Sequence, residues 1–304
     1  MSKILPRGIV PVLQTPFNNG GAVDDESLVK LIATALRGGA SGFLAPVVAS
    51  EVEFLTRQER DEVIRIVSGE IAGRVPFIVG ASSDDPDECR HFASLAKQAR
   101  ATAWLVAVPQ ALYHRTEELP DFFQSITAGI SLPLIVQDLQ WNGPGLKLST
   151  LERLKDAVPS LAGIKIETIP AGPKYTAVRR ALGDDFFIAG GWAIPQMIEA
   201  LDRGVDALVP ESSMVAVYSA ILKAHASGDR TKALGLFRRL VPVLTFTNQE
   251  LGLSIAFFKR LLARQGIFRT EVMRQPWAGW DEFNLRIADE LIDLYLAMAA
   301  EVAQ

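Results

Sequence analysis

Leu161-Ala162-Gly163-Ile164-Lys165-Ile166-Glu167-Thr168 is a run of strand length with a lysine in its middle. Alternation sets Gly163, Lys165 and Glu167 on one face of such a strand and Ile164 and Ile166 on the other, so the two charged side chains point the same way. On an edge strand both would simply be solvated, as most such residues are. Inside a parallel barrel the outcome differs. Burial disfavours the charge on an ammonium, and the neutral amine is a nucleophile able to form an imine with a carbonyl compound. The rest of the chain decides between these settings.

Working outward, further short apolar runs lie at 9–13, 42–47, 76–80, 103–108 and 133–137 before this strand, and at 186–190 and 207–210 after it. With 162–166 they make eight, and helical patterns fill the gaps. Asp24-Asp25-Glu26 opens a helix that stops at Gly38-Gly39, and Thr56 followed by Glu59 reads as a capping box for the next. Asp84-Asp85-Pro86 and Leu148-Ser149-Thr150 start others. The runs are continuous rather than alternating, which predicts strands covered on both faces. The fold expected is a (β/α)₈ TIM barrel over residues 1–226, followed by a C-terminal helical module over 227–304 with helices near 232–244, 253–265 and 281–298. An open doubly wound sheet fits less well, because no Gly-x-Gly-x-x-Gly follows the first run.

Composition narrows the function. The 304 residues are 49% hydrophobic and 22% charged, enough apolar material for one large core, and the formal net charge of -4 provides no basic field for nucleic acid. One cysteine, Cys89, excludes an intrachain disulfide and a cysteine-rich zinc site. His91, His114 and His225 are scattered, and no window has the apolar length of a membrane span. The reading is a soluble, cytoplasmic protein that needs no cofactor or metal.

In a barrel of this kind chemistry gathers at the C-terminal strand ends, and there the chain resembles the dihydrodipicolinate synthase and N-acetylneuraminate lyase family of class I aldolases. Thr15-Pro16-Phe17, Gly21-Ala22-Val23-Asp24, the Glu51 to Arg60 stretch with Leu55-Thr56 and Glu59-Arg60, Gly163-Ile164-Lys165 and the segment 253–274 carry the resemblance in order. It implies an oligomer, dimer or tetramer, acting on pyruvate or another 2-oxo acid through an imine on Lys165. The departures are as informative. Val47-Val48-Ala49-Ser50-Glu51 replaces the family's Gly-Thr-Thr-Gly-Glu, Gln137-Asp138 replaces Tyr-Asn, and Gln110-Ala111 stands at the paired tyrosines. The hydroxyl relay is therefore missing. Residues 139–143 carry no basic side chain for a second substrate, so the chain does not match a true dihydrodipicolinate synthase.

Glu167 is the expected replacement for the relay, as the acid-base partner of Lys165. Backbone N–H groups at Val48, Ala49 and Gly190 are expected to hold the substrate carboxylate, with Gln137, Asp138 and Glu211 as further substrate contacts at strand ends. Asp138 and Glu211 are equally suited to capping a helix or binding a loop amide. Tyr113 offers a substitute phenol. Trp192 and Ala193, where sialic acid lyases bind a polyhydroxylated chain, suggest an apolar or aromatic substrate tail. Three functions remain open: a class I aldolase or lyase, a 2-oxo acid dehydratase or hydratase-aldolase using the same imine, and a non-catalytic carboxylate-binding or scaffold barrel.

Overall fold

Runs too apolar to face water on either side can hide only between a filled interior and a ring of helices. In a computed structural model, which describes residues 5–140, 142–191 and 195–303, they become eight parallel strands. These are β1 (Gly8–Ile9), β2 (Phe43–Ala45), β3 (Phe77–Gly80), β4 (Ala103–Ala107), β5 (Leu134–Leu139), β6 (Leu161–Glu167), β7 (Phe187–Gly190) and β8 (Ala207–Leu208). The order β1-β8-β7-β6-β5-β4-β3-β2 leaves β1 and β2 as neighbours across the seam. Backbone bonds close it: Ser41 donates to Ile9 at 2.7 Å, and Leu44 to Pro11 and Leu13 to Leu44 at 3.1 Å each. Pro11 has no N–H, which cuts the regular part of β1 short. The barrel expected from the sequence is the barrel formed.

The helices between strands start where their caps predict. Asp24 accepts the Ser27 N–H at the start of α1 (Asp25–Gly38), and the helix ends at Gly39 with φ 99°. Thr56 and Glu59 form the reciprocal capping box of α2 (Arg57–Ile71), and Asp85 caps α3 (Pro86–Gln98). The ring continues with α4 (Leu119–Thr127), α5 (Leu148–Ala157), α6 (Gly172–Leu182), α7 (Met197–Asp202) and α8 (Val215–Ala226). Three more helices follow: α9 (Arg230–Thr247), α10 (Leu251–Arg264) and α11 (Glu282–Val302). One apolar cluster runs from the outer strand faces through the barrel helices into these three. No helix among the described residues is long and apolar enough to cross a membrane.

A second, smaller cluster fills the barrel itself, with Val10, Leu44, Ile78, Leu105, Ile135, Phe187 and Ala207 pointing inward. Gly163 makes room for it. A Cβ there would stand 2.6 Å from the Phe187 Cβ and carbonyl oxygen, so the bare backbone lets the Phe187 ring occupy the interior. Lys165 lies two residues further along the same inward face, on top of this plug.

Candidate active site

The inward alternation of β6 delivers two charged side chains to the C-terminal mouth of the barrel. Lys165 Nζ lies 3.0 Å from Glu167 Oε1, and the two residues are only 3% and 8% exposed. On the neighbouring strand Gln137 is in register with Lys165 and donates from Nε2 to Glu167 Oε2. Burying two opposite charges together is tolerable only with such company, because each lone pair left over needs its own donor. On the other side Gly191 leaves the carboxylate its space: a Cβ there would sit 2.2 Å from Glu167 Oε1.

Around this pair the cleft is walled by Val12 and Gln14 from the end of the first strand, residues 47–49 after β2, Leu139, and residues 209–211 after β8. Residues 48–50 form a single 3₁₀ turn. Ser50, buried within it, donates to the Leu13 carbonyl and accepts the Val47 N–H, which fixes the turn against the first strand. The roof comes from the helices beyond the barrel, with Thr247, Asn248, Glu250, Leu251, Ser254, Ile255 and Phe258 completing the cavity.

Glu211 stands after β8, on the other side of the first strand from the 3₁₀ turn, with Val12 bridging Leu44 on one side and Glu211 on the other. Its Oε2 accepts from the Ser213 N–H and hydroxyl and, at 3.5 Å, from Gln14 Nε2. The Gln14 oxygen in turn accepts from Ser212. Burial pushes the Glu211 carboxyl up from 4.5 to about 7, against the opposing pull of the Ser213 and Gln14 hydrogen bonds. The folded protein then holds a proton that the unfolded chain has released, so this group's contribution to stability falls as pH rises from 4.5 through 7. Glu211→Gln should remove that slope and be the more stable protein at pH 8, by up to roughly 3 kcal/mol, with the two converging below pH 4.5. Urea midpoints at pH 4 and pH 8 check this. Identical pH dependence in both proteins would mean that Glu211 ionises without cost.

Two expected contacts are corrected by the parity of their strands. Asp138 follows Gln137 and so faces outward, where it is fully buried among helices, accepting from Tyr113 Oη at 2.8 Å and from the Leu146 N–H and pairing with Lys174. It does not line the cleft. Tyr113 therefore spends its proton on Asp138, and burial holds the phenol well above its ordinary range. Gly190 is likewise an outward ladder residue whose carbonyl accepts the Val209 N–H at 2.7 Å; the space in the mouth belongs to Gly191. Lys165, Glu167, Val48, Ala49, Gln137 and Glu211 do gather around one cavity. Trp192 and Ala193 fall outside the described residues.

Sequence reasoning missed Gln14, the roof and a second buried ion pair. Gln14 continues the inward alternation of Val10 and Val12, which was the available signal. Behind the 3₁₀ turn, Glu51 at φ 58° pairs with Lys259 of α10, both side chains having no exposed surface, and its other oxygen accepts the N–H groups of Arg274 and Gln275. Burial pushes the Lys259 ammonium down to about 8, an effect the Glu51 carboxylate opposes. Arg274 reaches on to Glu59, which it holds down at about 2, and both Lys259 and Arg274 lie over the Phe17 ring. The turn that walls the cleft is thus bolted to the C-terminal segment.

A barrel with a buried lysine and carboxylate at its C-terminal mouth has the build of a lyase or aldolase. The Dihydrodipicolinate synthetase family model matches residues 5–291, and the chain belongs to that family. It is 28% identical over 279 residues to L-2-keto-3-deoxyarabonate dehydratase of Azospirillum brasilense, covering 89% of this chain and 88% of the relative. In fold it is similar to dihydrodipicolinate synthase from Rhodopseudomonas palustris, with a TM-score of 0.87 at 21% identity over 97% of this chain and 99% of that one. A sialic acid aldolase of Ruminococcus gnavus superposes equally well, with a TM-score of 0.87 at 15% identity over 97% and 98% of the two chains.

Proposed function

We propose that the protein is a Schiff-base-forming lyase acting on pyruvate or another 2-oxo acid through Lys165. The observation that carries this reading is the Lys165–Glu167 pair, 3.0 Å apart and buried on the floor of the cleft. Glu167 takes the proton that frees the lysine amine, the amine adds to the C2 carbonyl, and loss of water leaves an iminium. That iminium is an electron sink for a bond two atoms away. The substrate carboxylate is placed at Val48 and Ala49, whose N–H groups open the 3₁₀ turn and have no use within it. Borohydride reduction in the presence of pyruvate, followed by intact-mass spectrometry, should give an adduct that maps to Lys165. If neither pyruvate nor a panel of longer 2-oxo acids is captured, the protein is better described as a carboxylate-binding or scaffold barrel.

Between the bond-breaking outcomes, elimination of water has a specific point in its favour. A carboxylate stands beside the lysine where the family relay of hydroxyls is missing, and a single carboxylate suffices for dehydration: it removes a proton from C3 and returns it to the hydroxyl leaving C4. The dehydratase relative over 89% of the chain points the same way. Product analysis separates cleavage from dehydration. Glu167→Gln should lower kcat by roughly 10²- to 10³-fold with a smaller change in KM; an unchanged kcat would assign the carboxylate to structure. The same reading carries a homo-oligomer, dimer or tetramer, which light scattering of the purified protein checks.

A further inference from the structure

Gln137 is a buried polar side chain in a place that packing alone does not explain. It projects from β5, a strand paired on both sides: its neighbours in register are Ala107 of β4 and Lys165 of β6, and its own carbonyl accepts the Val108 N–H at 3.0 Å. Leu139 is the residue level with Glu167, so the Gln137 amide reaches diagonally past the lysine to give its Nε2 to Glu167 Oε2. The other end of the amide gains nothing. Its Oε1 is buried with no donor among the described residues, which is a cost to the folded state. An apolar side chain would carry no such cost, so what distinguishes Gln137 is the bond its nitrogen makes to Glu167.

The Lys165 and Gln137 contacts on Glu167 differ in what the chemistry does to them. Lys165 meets Oε1 at 3.0 Å through an ammonium, which has three N–H donors. Once that nitrogen has added to a C2 carbonyl and water has left, it is bonded to two carbons and keeps one N–H at most. Its hold on the carboxylate therefore changes just as the carboxylate has to act. The Gln137 amide is bonded to nothing that reacts and does no acid-base work of its own, so its donor is the same before and after capture. On the other side of Glu167 the bare Gly191 backbone closes in, where a Cβ would stand 2.2 Å from Oε1.

We propose that Gln137 is the positioning residue of Glu167: by fixing Oε2 through its amide nitrogen, it keeps the carboxylate beside C3 of the bound 2-oxo acid after Lys165 has been taken into the imine. This rests on the lyase reading above. In that reading a C3–H bond breaks, its electron pair moves toward the iminium nitrogen to leave an enamine, and the proton goes to Glu167; the reverse step returns a proton to C3. Gln137 touches neither the lysine nitrogen nor that proton. Its loss is felt in the proton transfer and not in the capture that precedes it.

The reverse step supplies the assay. In D₂O the C3 hydrogens of pyruvate or 2-oxobutanoate are replaced by deuterium, which proton NMR follows, while borohydride and intact mass report capture by the same full-length protein. Gln137→Met should keep the adduct yield within about twofold of wild type and slow the exchange by roughly 10- to 100-fold. Introduced into Glu167→Gln, the same change should slow exchange by less than about twofold further, because the group it positions is gone. A purely structural role would add the same loss in both backgrounds. Gln137→Asn, which keeps the amide but withdraws it by one methylene, should repeat the loss and stands in if the Met variant does not fold. Exchange at the wild-type rate in a folded Gln137 variant, equal losses in both backgrounds, or a fall in capture as large as that in exchange overturns the inference and leaves the imine in place. Capture by the wild type with no exchange overturns it as well, since Glu167 then takes no C3 proton. If the wild type captures neither these two acids nor the longer ones of the panel, the lyase reading fails and takes this inference with it.

Discussion

Lys165→Ala is expected to end covalent capture of 2-oxo acids and to lower turnover by roughly 10⁵-fold, the scale of advantage that a positioned intramolecular nucleophile has over one in solution. No neighbour can substitute. Lys165 is the one cation among the described residues lining the cleft, and the buried Lys259 lies behind the 3₁₀ turn, tied to Glu51 and the Val272 carbonyl. The barrel should survive. Glu167 keeps the Gln137 amide as a donor, which blunts the usual cost of breaking a buried pair. Circular dichroism and intact mass after borohydride read the two halves of this expectation. Capture by the variant at the wild-type level would remove Lys165 from the chemistry.

Lys259→Met should have the largest effect on stability, about 3–5 kcal/mol, because it leaves the Glu51 carboxylate with no exposed surface and without its ion-pair partner. The backbone N–H groups of Arg274 and Gln275 stay as donors, and the Arg274 guanidinium is already paired with Glu59. Pairing the change with Glu51→Gln should restore most of the loss, since a neutral pair of similar volume carries no desolvation penalty. Guanidinium midpoints of the two single variants and the double variant form the cycle. If the double variant is no better than Lys259→Met alone, the ion pair is not what holds this corner of the molecule.

The period-two alternation of one strand made the floor of the cleft legible in advance. It placed Lys165 and Glu167 together, and the same rule misplaced nothing on β6. The errors came from choosing strand ends without applying that rule everywhere: Asp138 and Gly190 sit one residue out of phase with Gln137 and Gly191, and one residue is the difference between the interior and the helix side. Glu211 was found at the end of its run, but its protonation is set by burial that no local pattern reveals. Lys259 is a lysine on the apolar stripe of Ile255 and Leu262, which reads from sequence as an interruption rather than as half of an ion pair. The roof was the least readable part, because helical periodicity shows that a helix has an apolar face and not what that face will cover.

The placement of that roof gives the protein an order of completion. A ribosome that has released the barrel through α8 has made the lysine and its carboxylate partner, but the residues that close the cleft lie at 247–258 and those that brace its wall at 259–275. Lys165 is encoded early and its enclosure late. Until the distal segment emerges, the cleft around Lys165 lacks its roof, and the 3₁₀ turn lacks the Lys259 side chain and the backbone N–H groups that brace it.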